Sequence, residues 1–106
     1  MDEPVRKIIY YKHFFTEFSA TLTPAVQRKI EYVLDLIRYV PHFPAKFLKH
    51  MEGTEGIYEV RVEFQSNIYR VFCFFDKGRL VILLNGFQKK SQKTPGNEIE
   101  LAERLK

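Results

Sequence analysis

The sequence predicts a single α+β domain in which helices pack on a mainly antiparallel sheet. Its 106 residues are the length of one domain. An apolar fraction of 45% with 15% aromatic residues is enough for a packed core and argues against disorder. The hydrophobic period changes from helical in the first half of the chain to alternating in the second. We therefore expect one domain over residues 1–106, with the element order β-α-α-β-β-β-α.

The first half of the chain predicts one strand and two helices. The apolar and aromatic run from Ile8 to Tyr11 favours a strand. A short helix is then indicated by apolar residues at near-helical spacing: Phe14, Phe15, Phe18 and Leu22. Thr23 and Pro24 are typical of a helix start, because the hydroxyl can cap the first turn and proline suits the first helical position. This second helix should run from about residue 24 to residue 40.

The segment after the second helix is expected to add one more helical turn. Pro41 and Pro44 end the helix. Apolar residues then recur at spacings that a helix would place on one side: Phe47, Leu48 and Met51. Two glycines, Gly53 and Gly56, follow and break the pattern.

The second half predicts an antiparallel meander and a last helix. Residues 56–64 alternate, residues 67–75 and 79–87 are rich in β-forming side chains, and Ser66-Asn67 and Lys77-Gly78 separate the runs. After a break at Thr94-Pro95-Gly96, Asn97 and Glu100 resemble a capping box. The helix that follows would turn three apolar residues inward: Ile99, Ala102 and Leu105.

Composition excludes several classes of protein. The single cysteine, Cys73, cannot form an internal disulfide, so we expect it in the core of a protein in a reducing compartment. The acidic N-terminus lacks the pattern of a signal peptide, and the longest apolar run, Leu80 to Leu84, is too short to span a membrane. We expect a cytoplasmic protein with no membrane partner. The histidines, His13, His42 and His50, have no metal-site spacing and should lie on the surface, so no metal or other cofactor is predicted.

Positive charge is concentrated near the C-terminus. The net charge is +4, and no acidic residue lies between Asp76 and Glu98. Five basic residues fall in that window: Lys77, Arg79, Lys89, Lys90 and Lys93. Such a local field suits nucleic acid or another polyanion, although a solvated basic loop would have the same composition.

Strand parity places two arginines on one face of the sheet. A turn at Ser66-Asn67 puts Glu63 opposite Arg70, whereas a turn at Gln65-Ser66 puts Arg61 directly opposite Arg70. In either register both guanidinium groups project from the same side. A two-residue loop at Lys77-Gly78 would place Asn85 opposite Arg70 and Phe87 opposite Ile68, so Asn85, Phe87 and Lys89 would extend that face.

Arg70 interrupts an apolar run, so an anion should lie beside it. One interpretation is an ion pair with Glu63 or Glu59. The other is a substrate phosphate held by the planar guanidinium, and the presence of Arg61 on the same face favours it.

Three segments together resemble a known family: YEVR (58–61), YRVFCFFDKG (69–78) and LLNGFQKKSQKTPGNEIELA (83–102). They are similar to the RelE/ParE superfamily of toxin-antitoxin toxins, in particular its HigB-like branch, which is related to phage-derived toxin-like proteins. The resemblance covers nearly the whole chain and implies a RelE/ParE-like fold. One departure is Asn85, where such sequences often have histidine.

The resemblance implies a ribosome-dependent mRNA endoribonuclease (an mRNA interferase) that inhibits translation and has a helix-turn-helix, HigA-like antitoxin as partner. It implies catalytic roles for Arg61, Arg70, Lys89 and Lys90. Further candidates for nucleic-acid contact are Lys46, Lys49, Phe87 and Lys93, although Phe87 suits the core equally well. No residue stands out as the general base, and Glu63 is one candidate. A ParE-like inhibitor of DNA gyrase and a non-catalytic module that binds nucleic acid or antitoxin remain as alternatives.

Overall fold

The computed structural model describes residues 3–42, 46–77, 80–89 and 96–106. The elements in chain order are β1 (Lys7–Tyr10), α1 (Phe14–Ala20), α2 (Pro24–Tyr39), β2 (Leu48–His50), β3 (Tyr58–Phe64), β4 (Asn67–Asp76), β5 (Leu80–Lys89) and α3 (Gly96–Leu105). The predictions for Lys90 and Lys93 lie outside the described residues. For Lys89 the description covers the backbone.

Five strands form one sheet in the order β1-β5-β4-β3-β2. β1 pairs parallel with β5, and the other three pairs are antiparallel. The expected α+β class with a mainly antiparallel sheet is thereby confirmed. A parallel partner for β1 requires a long crossover, which α1 and α2 supply together with the meander.

The second helix forms as its sequence predicts. Pro24 begins α2, and the N–H of Val26 donates to the Thr23 hydroxyl at 3.3 Å, which caps the first turn. The helix ends at Tyr39, just before Pro41. Its buried side faces the sheet through five residues: Val26, Ile30, Val33, Leu34 and Ile37. None of the helices in the described parts of the chain is long and apolar enough to cross a membrane.

The predicted helical turn over residues 47–51 is wrong, because residues 48–50 form the edge strand β2. Leu48 pairs with Val60 and His50 with Tyr58, and the Met51 N–H donates to the Ile57 carbonyl at 2.9 Å. A chain reversal follows, in which Gly53 and Gly56 have φ values of +81° and +75°. That reversal brings the segment beside β3, and pairing with an existing strand outweighs the weak local preference for helix.

Two cores lie on opposite faces of the sheet. The first, beneath α1 and α2, contains inward residues of β3, β4 and β5, among them Val60, Val71 and Leu83. The ring of Phe18 on α1 packs directly against Gly86. A Cβ atom added at residue 86 would lie 2.5 Å from Cδ2 of that ring, so a larger residue would clash there. The second core lies beneath α3 and consists of Ile57, Phe72, Leu84, Phe87 and Ala102.

The strand registers resolve two alternatives. Phe64 pairs with Asn67, so the turn is Gln65-Ser66, and Arg61 pairs directly with Arg70. Both turn residues have positive φ, 48° and 68°, as a type I′ turn requires.

The predicted register of β5 is wrong in detail. Asp76 pairs with Leu80, so three residues separate the paired ends of β4 and β5 in the sequence, where the prediction had two. An irregularity between Val71 and Cys73 shifts the register by one more residue. As a result Phe87, and not Asn85, pairs with Arg70. Because the two shifts together preserve parity, Phe87 still shares a face with Arg70.

Cys73 is fully buried in the first core, as its sequence context predicts. Burial raises the pKa of its thiol to about 12, so the thiol stays protonated at neutral pH. We expect a chromogenic disulfide reagent to titrate no thiol in the native protein at pH 7 and one thiol per chain in denaturant. Rapid reaction of the native protein would show that this part of the sheet opens easily.

Candidate nucleic-acid interface

Two arginines lie side by side on the sheet face that carries α3. Arg61 on β3 and Arg70 on β4 are direct cross-strand partners. Like charges in this position repel each other, so each guanidinium needs an anion nearby. The two arginines meet that need in different ways.

Arg70 has its anion inside the fold. Arg70 is 6% exposed and forms an ion pair through Nη1 with Oε1 of Glu59, which is 2% exposed. Burial lowers the pKa of the Arg70 guanidinium, which nevertheless stays charged because arginine does not lose its proton in proteins. The sequence allowed two interpretations of Arg70, an ion pair within the protein or a contact with substrate phosphate. The contact with Glu59 matches the ion pair. It does not match the interpretation that the sequence favoured, in which the guanidinium is open to a substrate phosphate.

Arg61 has an anion that solvent can reach. Its Nη2 lies 3.1 Å from Oε1 of Glu63, and the two side chains are 42% and 65% exposed. An exposed pair of this kind is worth about 0 to 1 kcal/mol. A phosphate can therefore replace Glu63 at Arg61 at small cost, whereas Arg70 is committed to Glu59.

Arg61 also opens into a pocket at the β2 edge of the sheet. The pocket has a volume of about 340 Å³, and the described residues that line it are Lys29, Lys46, Phe47, Arg61 and Glu63. The exposed Lys46 places its Nζ 4.9 Å from the centroid of the Phe47 ring. Three cations against one carboxylate make this pocket suited to an anion.

Three further residues predicted for the site, Lys49, Phe87 and Lys89, lie in different surroundings. Lys49 is exposed on β2. Its cross-strand neighbour in the β2–β3 register is Glu59, so it lies at the edge of the same face. Phe87 is 8% exposed and its centroid lies 5.4 Å from that of Phe72, which makes it a core residue with no free face for a base. The backbone of Lys89 pairs with Ile68.

Asn85 joins the sheet to the last helix. It is 4% exposed, and its Nδ2 donates to the carboxylate of Glu98 at 2.9 Å and to the Glu98 carbonyl at 3.1 Å. These bonds hold the first turn of α3 against β5. The contacts of Asn85 are therefore structural ones within the fold.

Two residues of the site were not identified from the sequence as functional. For Glu59, which lies on the same side of the strand as Arg61, the sequence indicates a possible ion pair with Arg70 but no role in the site. Lys29 gave no signal, because nothing in the spacing of α2 shows that it lies near β3. His13, His42 and His50 are exposed as predicted, and within the described ranges no three His, Cys, Asp or Glu residues are grouped to hold a metal ion.

Comparison with known proteins supports the fold. Residues 17–106 match the family model described as "Phage derived protein Gp49-like (DUF891)". A chain of the archaeal RelE-RelB complex from Pyrococcus horikoshii OT3 superposes with a TM-score of 0.61 at 21% identity, covering 84% of this chain and 99% of that one. No curated protein sequence matches. The architecture is therefore RelE-like.

Proposed function

The chain belongs to the phage-derived Gp49-like family, and from this membership, the RelE-like fold and the open Arg61 pocket we propose that it is the toxin of a type II toxin-antitoxin system. Its activity in this proposal is endonucleolytic cleavage of mRNA on the ribosome, as in the HigB-like branch. The observation that carries the proposal is the contrast between the two arginines. Arg70 is closed off by Glu59, whereas Arg61 is half exposed in a pocket with Lys46.

The proposed chemistry is attack of a 2′-hydroxyl on the adjacent phosphate. The hydroxyl loses its proton to solvent as its oxygen bonds to phosphorus, and the bond from phosphorus to the 5′-oxygen of the next nucleotide then breaks. The products are a 2′,3′-cyclic phosphate and a 5′-hydroxyl, whose oxygen takes up a proton from solvent. The phosphorane that forms carries additional negative charge, and a fixed guanidinium aimed at it lowers the barrier. Arg61 supplies that group, and its fork can contact two phosphate oxygens at once. Lys46 adds a second positive charge to the same pocket. Fixed cations of the chain itself supply the charge, so we propose that cleavage needs no metal ion.

Arg70 acts as a positioning residue in this proposal. Since Glu59 balances its charge, Arg61 has a neutralised neighbour across the strand pair. Without Glu59, two uncompensated guanidinium groups would lie opposite each other. We propose that four lysines contact the RNA backbone through their positive charge: Lys49 on the edge strand, Lys89 at the end of β5, and Lys90 and Lys93, which follow β5 in the sequence.

The proposed partners are an antitoxin, the ribosome and mRNA, all in the cytoplasm. The structural neighbour from Pyrococcus horikoshii is a RelE-RelB complex, which supports a protein partner for this chain too. The family resemblance of the sequence favours a helix-turn-helix, HigA-like antitoxin. Because the site offers few acid-base groups, we propose that the ribosome arranges the RNA for attack.

Induction of the protein in bacteria should arrest growth and produce new mRNA 5′ ends at a fixed place within codons. The reason is that cleavage on the ribosome is set by the reading frame. Mapping of mRNA 5′ ends within minutes of induction measures this, with an Arg61→Ala strain as the control. Continued translation together with accumulating gyrase cleavage complexes would contradict the proposal and favour a ParE-like inhibitor.

A further inference from the structure

Lys29 is the lining residue of the Arg61 pocket that lies on a helix. The other described lining residues lie on β3 or just before β2. Lys29 lies on α2, which packs over the first core, whereas Arg61 lies on the opposite face of the sheet with α3. Both residues nevertheless line the same pocket. The pocket therefore wraps around the β2 edge and connects the two sides of the sheet.

The charges in this pocket exceed what one phosphate would balance. Lys29, Lys46 and Arg61 carry three positive charges, and Glu63 is the carboxylate among the described lining residues. The volume of about 340 Å³ is at the lower end of the range for small-ligand pockets, so it has room for more than a phosphate group alone. A strand of nucleic acid presents neighbouring phosphates, and this matches several cations in a row.

Lys29 can reach such a phosphate by giving up one weak contact. Its Nζ lies 5.4 Å from the centroid of Tyr32, which is 55% exposed. A cation–π contact at an exposed site is worth about 0.5 to 1 kcal/mol, so the long side chain can leave it for an anion.

We propose that Lys29 is an RNA contact that binds a backbone phosphate next to the one at Arg61. The RNA strand would then pass round the β2 edge, from the α3 face of the sheet towards α2. This inference rests on the proposed function, and it assigns to α2 a part in RNA binding as well as in the fold.

The test compares Lys29→Gln with Arg28→Gln. Both substitutions replace one positive charge by a neutral side chain, so they change the net charge equally. Arg28 is the control because it is the adjacent residue and is exposed, but it lines a different pocket. The probe is a single-stranded 2′-O-methyl RNA, which cannot be cleaved, and binding is measured by fluorescence anisotropy. Loss of one phosphate contact should weaken binding roughly 8-fold at about 0.05 M salt and roughly 3-fold at about 0.2 M, because the salt slope falls by about 0.7. Arg28→Gln should change binding by less than about 2-fold at both salt concentrations.

Two further variants make the result decisive. Lys29→Arg keeps the charge and should restore binding, which a loss of folding would not allow. Equal weakening by Lys29→Gln and Arg28→Gln would overturn the inference, since it would show an effect of net charge alone. If Lys29→Gln binds normally while Arg61→Ala does not, Lys29 is no contact and the proposed site stands. If Arg61→Ala also binds normally, the proposed site itself fails.

Discussion

Replacement of Arg61 by alanine should reduce cleavage of ribosome-bound mRNA by roughly 100-fold or more and leave the protein folded. The large effect on rate follows from the loss of a preorganised donor aimed at charge that develops in the transition state. The small effect on stability follows from the exposure of the Arg61–Glu63 pair, which is worth about 0 to 1 kcal/mol. The backbone bond from the Arg61 N–H to the Phe47 carbonyl, at 2.8 Å, does not depend on the side chain.

Two controls separate charge from geometry in this experiment. Arg61→Lys retains the charge but loses the planar fork, so its activity should be intermediate. Arg104→Ala removes one positive charge from an exposed position on α3 and should cleave normally. Cleavage rate and thermal unfolding temperature are measured for each variant. Full activity of Arg61→Ala would remove Arg61 from the mechanism, and a collapse of its unfolding temperature would make it a structural residue.

The parts of the fold that could be predicted are those set by local pattern. The cap at Thr23 and the apolar stripe of α2 lie within a few turns of one another, and the alternation in β3 reports burial on one side. β2 could not be predicted in the same way. Its three residues form a strand because β3 offers them an edge, and nothing in the local spacing of Phe47, Leu48 and Met51 shows where that edge lies.

Parity predicted that the two arginines share a face of the sheet, but it left open whether they pair directly and which carboxylates lie beside them. Glu59 and Glu63 lie two residues to either side of Arg61 and share its face, so register alone leaves both available. Burial decides between them. Glu59 lies opposite the fully buried Phe72, whereas Glu63 lies near the strand end and is exposed.

Replacement of Arg70 by alanine should destabilise the protein by about 3 to 5 kcal/mol. The substitution leaves Glu59 buried, charged and without its partner, and an uncompensated buried charge is among the most costly defects in a protein. It also removes a large side chain from beside the second core, which adds the cost of a cavity. Urea unfolding, followed by a spectroscopic probe and extrapolated to water, measures the loss.

A double variant distinguishes the ion pair from simple packing. Replacing Arg70 by methionine and Glu59 by leucine together removes both charges and keeps most of the volume. Buried ion pairs replaced in this way often leave stability unchanged or raise it, so the double variant should be more stable than Arg70→Ala. Its cleavage activity should fall less than that of Arg61→Ala, since Arg61 keeps its own carboxylate and its place in the pocket. If Arg70→Ala instead unfolds at the wild-type urea concentration and loses all cleavage, Arg70 contacts the substrate directly and the Glu59 pair opens when RNA binds.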